Sequence, residues 1–248
     1  MARITGIGRP VRRVEAREDP AFAAASWPFV IPAVRQLLHD GLDLGQVTVL
    51  VGENGTGKST IVEAIAEAYG LNPEGGSTGA MHATRRSESP LAEHLQLMRG
   101  IGAPRGGYFL RAETMHAFYT YLEENPPLTR PELDFHARSH GESFLDLISS
   151  KFTRPGLYVL DEPESALSFT SCLKVLATLQ DMTSDTRVQV LLATHSPVLA
   201  ALPGATILEL TDTGFRPTAW DDLASVVNQR AFLAEPEGYL RRLRDRRE

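Results

Sequence analysis

A chain of 248 residues can fill one large α/β domain or two small ones, and 42% apolar with 23% charged residues excludes a disordered or fibrous protein. A net charge of −6 excludes a protein that coats nucleic acid over its whole surface, while leaving room for a local basic patch. The one cysteine, Cys172, excludes an intramolecular disulfide, and no apolar run approaches the roughly 18 residues of a membrane helix.

The first residues, Met1 to Gly6, lack the apolar centre of a signal peptide, so the expected location is cytoplasmic and any membrane role would come through a partner. Val11–Val14 reads as a strand. Trp27 to Pro32 holds too many prolines for a helix interior, and Ala33–Leu38 reads as a short helix. The β-branched run Gln46–Val51 predicts a buried strand. Ile61, Ile65 and Ala68 give Lys58–Tyr69 a helical period, with Gly70 placed to end it. Residues 72–90 read as a loop, Leu91–Met98 as a short amphipathic helix and Gly100–Gly107 as a turn.

Tyr108–Glu113 reads as a strand and Thr114–Glu123 as a helix, before Pro126, Pro127 and Pro131 break the chain. Gly141–Ser150 is helical, Gly156–Leu160 a strand, and Ser165–Met182 a helix carrying Cys172 on its apolar side. Val188–Ala193 is a nearly all-apolar strand, followed by a short helix over Pro197–Leu202. Thr206–Leu210 and Phe215–Ala219 read as a hairpin, and Asp221–Leu233 and Glu237–Arg247 as terminal helices. Strands alternating with helices predict a largely parallel sheet covered on both faces, with ligands at the carboxyl ends of its strands.

At the end of the Gln46–Val51 strand, Gly52-Glu53-Asn54-Gly55-Thr56-Gly57-Lys58-Ser59 fits the pattern G-x-x-x-x-G-K-[ST] in full. Its glycines let backbone N–H groups wrap closely around phosphate, and the helix that follows presents its positive end to the anion. Lys58 suits the β- and γ-phosphates, and the Ser59 hydroxyl suits Mg²⁺. The apolar strand Leu157–Leu160 ends in Asp161 and Glu162. That pair suits a metal-and-water site, with Asp161 on Mg²⁺ and Glu162 on an attacking water.

Five segments, spanning most of residues 40–215, resemble those of ABC-type nucleotide-binding domains. They are more similar still to soluble ATPases (the AAA/ABC kind) related to the DNA-repair and structural-maintenance branch. The segments are Gly52 to Thr60, Ser139-His140-Gly141-Glu142-Ser143, Leu160-Asp161-Glu162-Pro163-Glu164, Ser165-Ala166-Leu167-Ser168, and Ala193-Thr194-His195-Ser196-Pro197.

The resemblance implies a P-loop NTPase fold of the α/β class, with a mixed sheet flanked by helices. It implies one domain over residues 1–248, a short helical insertion at about 86–150 and C-terminal helices at about 221–247. It implies ATP and Mg²⁺ as cofactors, and ATP hydrolysis as the activity. Gly52, Glu53, Asn54, Gly55, Thr56, Gly57, Lys58, Ser59 and Thr60 would hold the nucleotide. Ser59 and Asp161 would hold the metal, with Glu113 at the strand end where the family usually carries glutamine. Glu162, His195 and Lys58 would act in catalysis. Ser139, Gly141 and Glu142 would form a signature loop contacting ATP held by a second copy, and Ser165 to Ser168 would cross that interface.

The signature is not a strict match, because it carries His140 and Ser143. Trp27 and Phe29 are candidates to stack on adenine, with core packing as the alternative, and Arg12 and Arg13 could reach nucleotide from an N-terminal strand. The basic run Leu240 to Arg247 suits either a solvated helix end or a contact to a partner or to nucleic acid.

The expected partners are a second copy of the chain in the ATP-bound state and an unidentified protein. The expected role is DNA maintenance or defence, with no insertion into membrane. The middle segment is short and no sustained heptads occur, which excludes a long-armed chromosome protein. The alternatives are the energy subunit of a membrane transporter and a nucleotide-switched regulatory dimer.

Overall fold

The computed structural model describes residues 8–17, 26–72, 76–77, 90–111 and 140–245. In chain order the elements begin with β1 (Arg13–Ala16), α1 (Pro32–Asp40), β2 (Leu42–Asp43), β3 (Val47–Gly52), α2 (Lys58–Tyr69), β4 (Gly76–Ser77), β5 (Leu95–Met98) and β6 (Gly106–Arg111). They continue with α3 (His140–Lys151), β7 (Gly156–Asp161), α4 (Phe169–Met182), β8 (Val188–Thr194), α5 (Pro197–Ala200), β9 (Thr206–Thr211), β10 (Gly214–Pro217), α6 (Ala224–Ala234) and α7 (Pro236–Asp245).

Among the described residues seven strands form the larger sheet, in the order β10-β9-β3-β8-β7-β6-β4. From β9 to β6 all neighbours are parallel, while β10 and β4 close the two edges in antiparallel fashion. The centre is the largely parallel sheet that the chain pattern predicts, and its antiparallel edges make it the mixed α/β sheet that the resemblance implies. A smaller antiparallel sheet, β2-β1-β5, lies beside it.

The period of two along each strand sorts the core into two layers. Leu50, Leu157, Val159, Leu191 and Ala193 point to the layer holding α1, α2 and the small sheet. Val49, Val51, Tyr158, Leu160, Val190 and Leu192 point to the other, against α3, α4, α5 and α6. Every residue of β7 and β8 is buried. Each such Leu, Val or Ile contributes about 1.5–3 kcal/mol of burial, so the centre of the sheet is a rigid platform for whatever its loops carry. Cys172 is buried in the second layer, as its apolar setting predicts. No helix among the described residues is long and apolar enough to cross a membrane.

Five expectations need correction, the first being that Gly76–Ser77, inside the span read as a loop, pairs with β6 as the edge strand β4. Leu91–Met98 is a 3₁₀ turn, Pro90–His94, followed by a strand. Leu91 and Leu95 are spaced as on a helix, yet Leu95–Met98 pairs with Ala16–Arg13, and backbone bonding to β1 decides the outcome. The helix expected from Ser165 starts at Phe169, because Pro163–Ala166 forms its own 3₁₀ turn and the Ser168 hydroxyl caps α4 by accepting from the Ser171 N–H. Likewise α6 begins at Ala224, after a 3₁₀ turn over Trp220–Asp222. The first strand lies at Arg13–Ala16, two residues later than expected. The helix expected over Thr114–Glu123 and the breaks at Pro126, Pro127 and Pro131 lie outside the described residues.

Candidate functional site

Because β3, β8 and β7 are adjacent and parallel, their carboxyl ends open onto one edge of the sheet. Val51 lies opposite Thr194, and Asp161 opposite Ala193. Three segments far apart in sequence therefore meet: Gly52 to Ser59 after β3, Asp161-Glu162 at the end of β7, and His195 after β8.

The loop after β3 is held tightly at both ends. A Cβ on Gly52 would stand 2.6 Å from the Leu210 carbonyl oxygen of β9. Gly57 has φ +98°, and a Cβ there would meet the Ile31 side chain at 2.8 Å. Only glycine combines that backbone angle with that approach. No side chain caps α2, so its first N–H groups face the loop as donors for an anion. The ammonium of Lys58 spans the loop, donating to the Glu53 carbonyl at 3.0 Å, and the Thr56 hydroxyl donates to the same carbonyl at 2.8 Å. A cleft of about 740 Å³ flanks the loop on the β9 side, bounded by Gly52, Glu53, Thr56, His195 and Asn228. Such a volume accommodates a small-molecule ligand.

Lys58 is 3% exposed, and its ammonium lies 3.7 Å from Glu162 Oε1. Burial lowers its pKa below the usual lysine range, against the opposing charges of Glu162 and Asp161. Beside it the Ser59 hydroxyl donates to Asp161 Oδ1 at 3.0 Å. Two hard oxygen donors at hydrogen-bond distance, one a buried carboxylate, fit a small divalent cation such as Mg²⁺.

Glu162 is the one described non-glycine residue at positive φ, with φ 47° and ψ 49°. A left-handed conformation costs a non-glycine residue roughly 1–2 kcal/mol and persists only when its surroundings impose it. Here the Glu162 N–H donates to the Ala193 carbonyl at 2.9 Å, which turns the side chain toward β8. His195 Nε2 then lies 2.9 Å from Glu162 Oε1. A carboxylate and an imidazole so paired can take and position a proton of a water molecule between the two strand ends.

Glu164 gains a place here that its sequence motif did not reveal. Its Oε1 accepts from the backbone N–H of His195 at 2.5 Å and from that of Ser196 at 3.2 Å. It thereby ties the turn after β7 to the turn after β8 and fixes the backbone that carries the imidazole. Arg111 is a second unforeseen neighbour, with its Nε 3.8 Å from Asp161 Oδ2. Nothing along the chain marks it: Arg111 and Asp161 become register partners only when β6 and β7 pair in parallel.

Among the sequence candidates, Lys58, Ser59, Asp161, Glu162 and His195 come together at this edge. Gly141 and Glu142 lie in the first turn of α3, where the backbone alone is described. Ser139 and Glu113 lie outside the described residues. Phe29 is core, 3% exposed and edge-on to His94, whereas Trp27 is 51% exposed. Arg13 is occupied in the small sheet by Glu15 and Asp43.

Residues 38–165, just over half of the chain, match the family described as ABC transporter. No curated protein matches the chain. Among solved structures it is similar to one assigned to the metal-chelate type of ABC transporter in an inward-facing conformation, at 18% identity over 74% of this chain and 76% of that one, with a TM-score of 0.44. It is also similar to the SMC head domain from Thermotoga maritima, at 15% identity over 72% and 93% of the two chains, with a TM-score of 0.43. A third likeness is to cbiO1 from Clostridium perfringens, part of the ABC transporter complex cbiONQ, at 13% identity over 80% and 88%, with a TM-score of 0.47.

Proposed function

This chain belongs to the ABC transporter family of ATPases, and from that premise we propose that it hydrolyses ATP as a head-to-tail dimer, each copy holding Mg-nucleotide in its own Gly52–Ser59 loop. The observation that carries the proposal is the meeting of Lys58, the Ser59–Asp161 pair and the Glu162–His195 pair at one sheet edge.

Backbone N–H groups of Gly52 to Thr60 and the start of α2 receive the phosphates. Lys58 exchanges its bond to the Glu53 carbonyl for the β- and γ-phosphate oxygens, and its buried position makes that charge contact strong. Ser59 and Asp161 would hold Mg²⁺, which supplies positive charge against the phosphate oxygens. Glu113 is a further candidate ligand. Glu162 takes the proton of the attacking water, while His195 holds that water in line. The water oxygen bonds to the γ-phosphorus as the bond to the bridging oxygen of ADP breaks. Ser139, Gly141 and Glu142 of the second copy complete the site across the nucleotide, and Ser165 to Ser168 lie in the interface between the copies.

For the cellular role we favour a stand-alone ATPase that works with a protein partner in DNA maintenance or defence. The loose signature, with His140 and Ser143, and Glu113 in place of glutamine support this over a transporter subunit.

A composite site predicts that phosphate release per copy, measured with MgATP, rises with protein concentration until the dimer saturates. Constant activity per copy across the dilution series contradicts the dimer. No release at any concentration contradicts hydrolysis.

A further inference from the structure

The two carboxylate oxygens of Asp161 face neighbours of different character. Its Oδ1 accepts from the Ser59 hydroxyl at 3.0 Å, and its Oδ2 lies 3.8 Å from Arg111 Nε. Arg111 in turn places Nη1 3.3 Å from Glu63 Oε2. Glu63 stands one helical turn beyond Ser59 on α2, so both project from the same side of that helix. The register of β6 with β7 sets Arg111 directly beside Asp161. Ser59, Asp161, Arg111 and Glu63 therefore form a ring that joins α2 to two strand ends. The side chains of Arg111, Glu63 and Asp161 are 25%, 14% and 5% exposed, so water screens their charges weakly.

We propose that Arg111 and Glu63 set the metal affinity of the nucleotide site: Arg111 holds it down by competing for Asp161, and Glu63 draws Arg111 away. The proposal rests on the reading of Ser59 and Asp161 as magnesium ligands. A guanidinium 3.8 Å from Asp161 Oδ2 neutralises part of the charge a divalent ion would meet. Such a device lets a metal leave with the product instead of locking it in place. Partners one step beyond the ligands commonly shift metal affinity by about ten- to a hundredfold. Arg111 and Glu63 are positioning residues here, because each acts on the metal through Asp161.

The two residues pull in opposite directions, and that separates this role from simple structural support. ADP and Mn²⁺ serve as probes, so no turnover is involved. Calorimetric titration of ADP with and without Mn²⁺ gives the factor by which metal tightens nucleotide binding. Arg111→Met is expected to raise that factor about tenfold, and Glu63→Gln to lower it several-fold. Arg111→Lys, which keeps the charge, should stay near the wild-type factor. In the Arg111→Met background, Glu63→Gln should have a smaller effect than alone.

An unchanged or lower factor in Arg111→Met overturns the inference, as does a Lys variant that behaves like Met. If Arg111→Met does not fold, Glu63→Gln decides, and an unmoved or raised factor there overturns it. A wild-type protein that binds no ADP in either buffer overturns the nucleotide reading itself, which is a different failure.

Discussion

Lys58→Ala is expected to cut ATP turnover by roughly a hundred- to a thousandfold, the usual cost of removing one fixed charge contact to the reacting group. Lys58 is the buried cation at the site, and the carboxylates of Asp161 and Glu162 lie close to it. Without it those two charges face incoming phosphate with no lysine between, so binding should weaken as well as turnover. The fold should survive, because alanine is the best helix former and position 58 opens α2. The check is phosphate release and ATP affinity measured on the same preparation, with thermal unfolding as the control. A folded variant with wild-type turnover would remove Lys58 from the chemistry.

Glu162→Gln should separate binding from hydrolysis. Glutamine has the shape of glutamate and can keep a hydrogen bond to His195 Nε2, now 2.9 Å from Glu162 Oε1. It cannot accept a proton from water. Turnover should fall by about 10²–10⁴, the contribution of a positioned general base. ATP should still bind, and with hydrolysis blocked the two copies should remain closed. Light scattering with MgATP should then show a stable dimer in the variant and a transient one in the wild type. If the variant hydrolyses ATP at the wild-type rate, the base lies elsewhere. If it binds ATP and stays monomeric, the head-to-tail arrangement is wrong.

Much of this site is legible along the chain because its chemistry is local. The strand, glycine loop and helix around Gly52 to Ser59 are continuous, and so is the apolar run that delivers Asp161 and Glu162. His195 follows a strand that is apolar except for Gln189 and Thr194, and the parallel sheet then carries all three segments to one edge. What escaped the sequence is what depends on pairing between distant segments. Leu91 and Leu95 have helical spacing, and the bonding of Leu95–Met98 to β1 overrides it.

Glu164 reads as a solvated charge in a turn until the end of β8 is brought against it, with the His195 and Ser196 N–H groups in reach. Arg111 reads as an ordinary residue near a strand end until the register sets it beside Asp161. Glu63 reads as one polar position on an amphipathic helix. The positive φ of Glu162 has no local signal at all, since glutamate rarely adopts it, and its partners Ala193 and His195 come from a strand and turn distant in sequence.

The claim beneath all of this is that the backbone cradle after β3 receives a nucleoside triphosphate. Titrating ATP into the wild-type chain with magnesium present, followed by calorimetry, addresses it without relying on turnover, a partner or a dimer. Saturable heat with one nucleotide per chain is the predicted result. A correctly folded protein that gives no heat beyond dilution would contradict the account at its base.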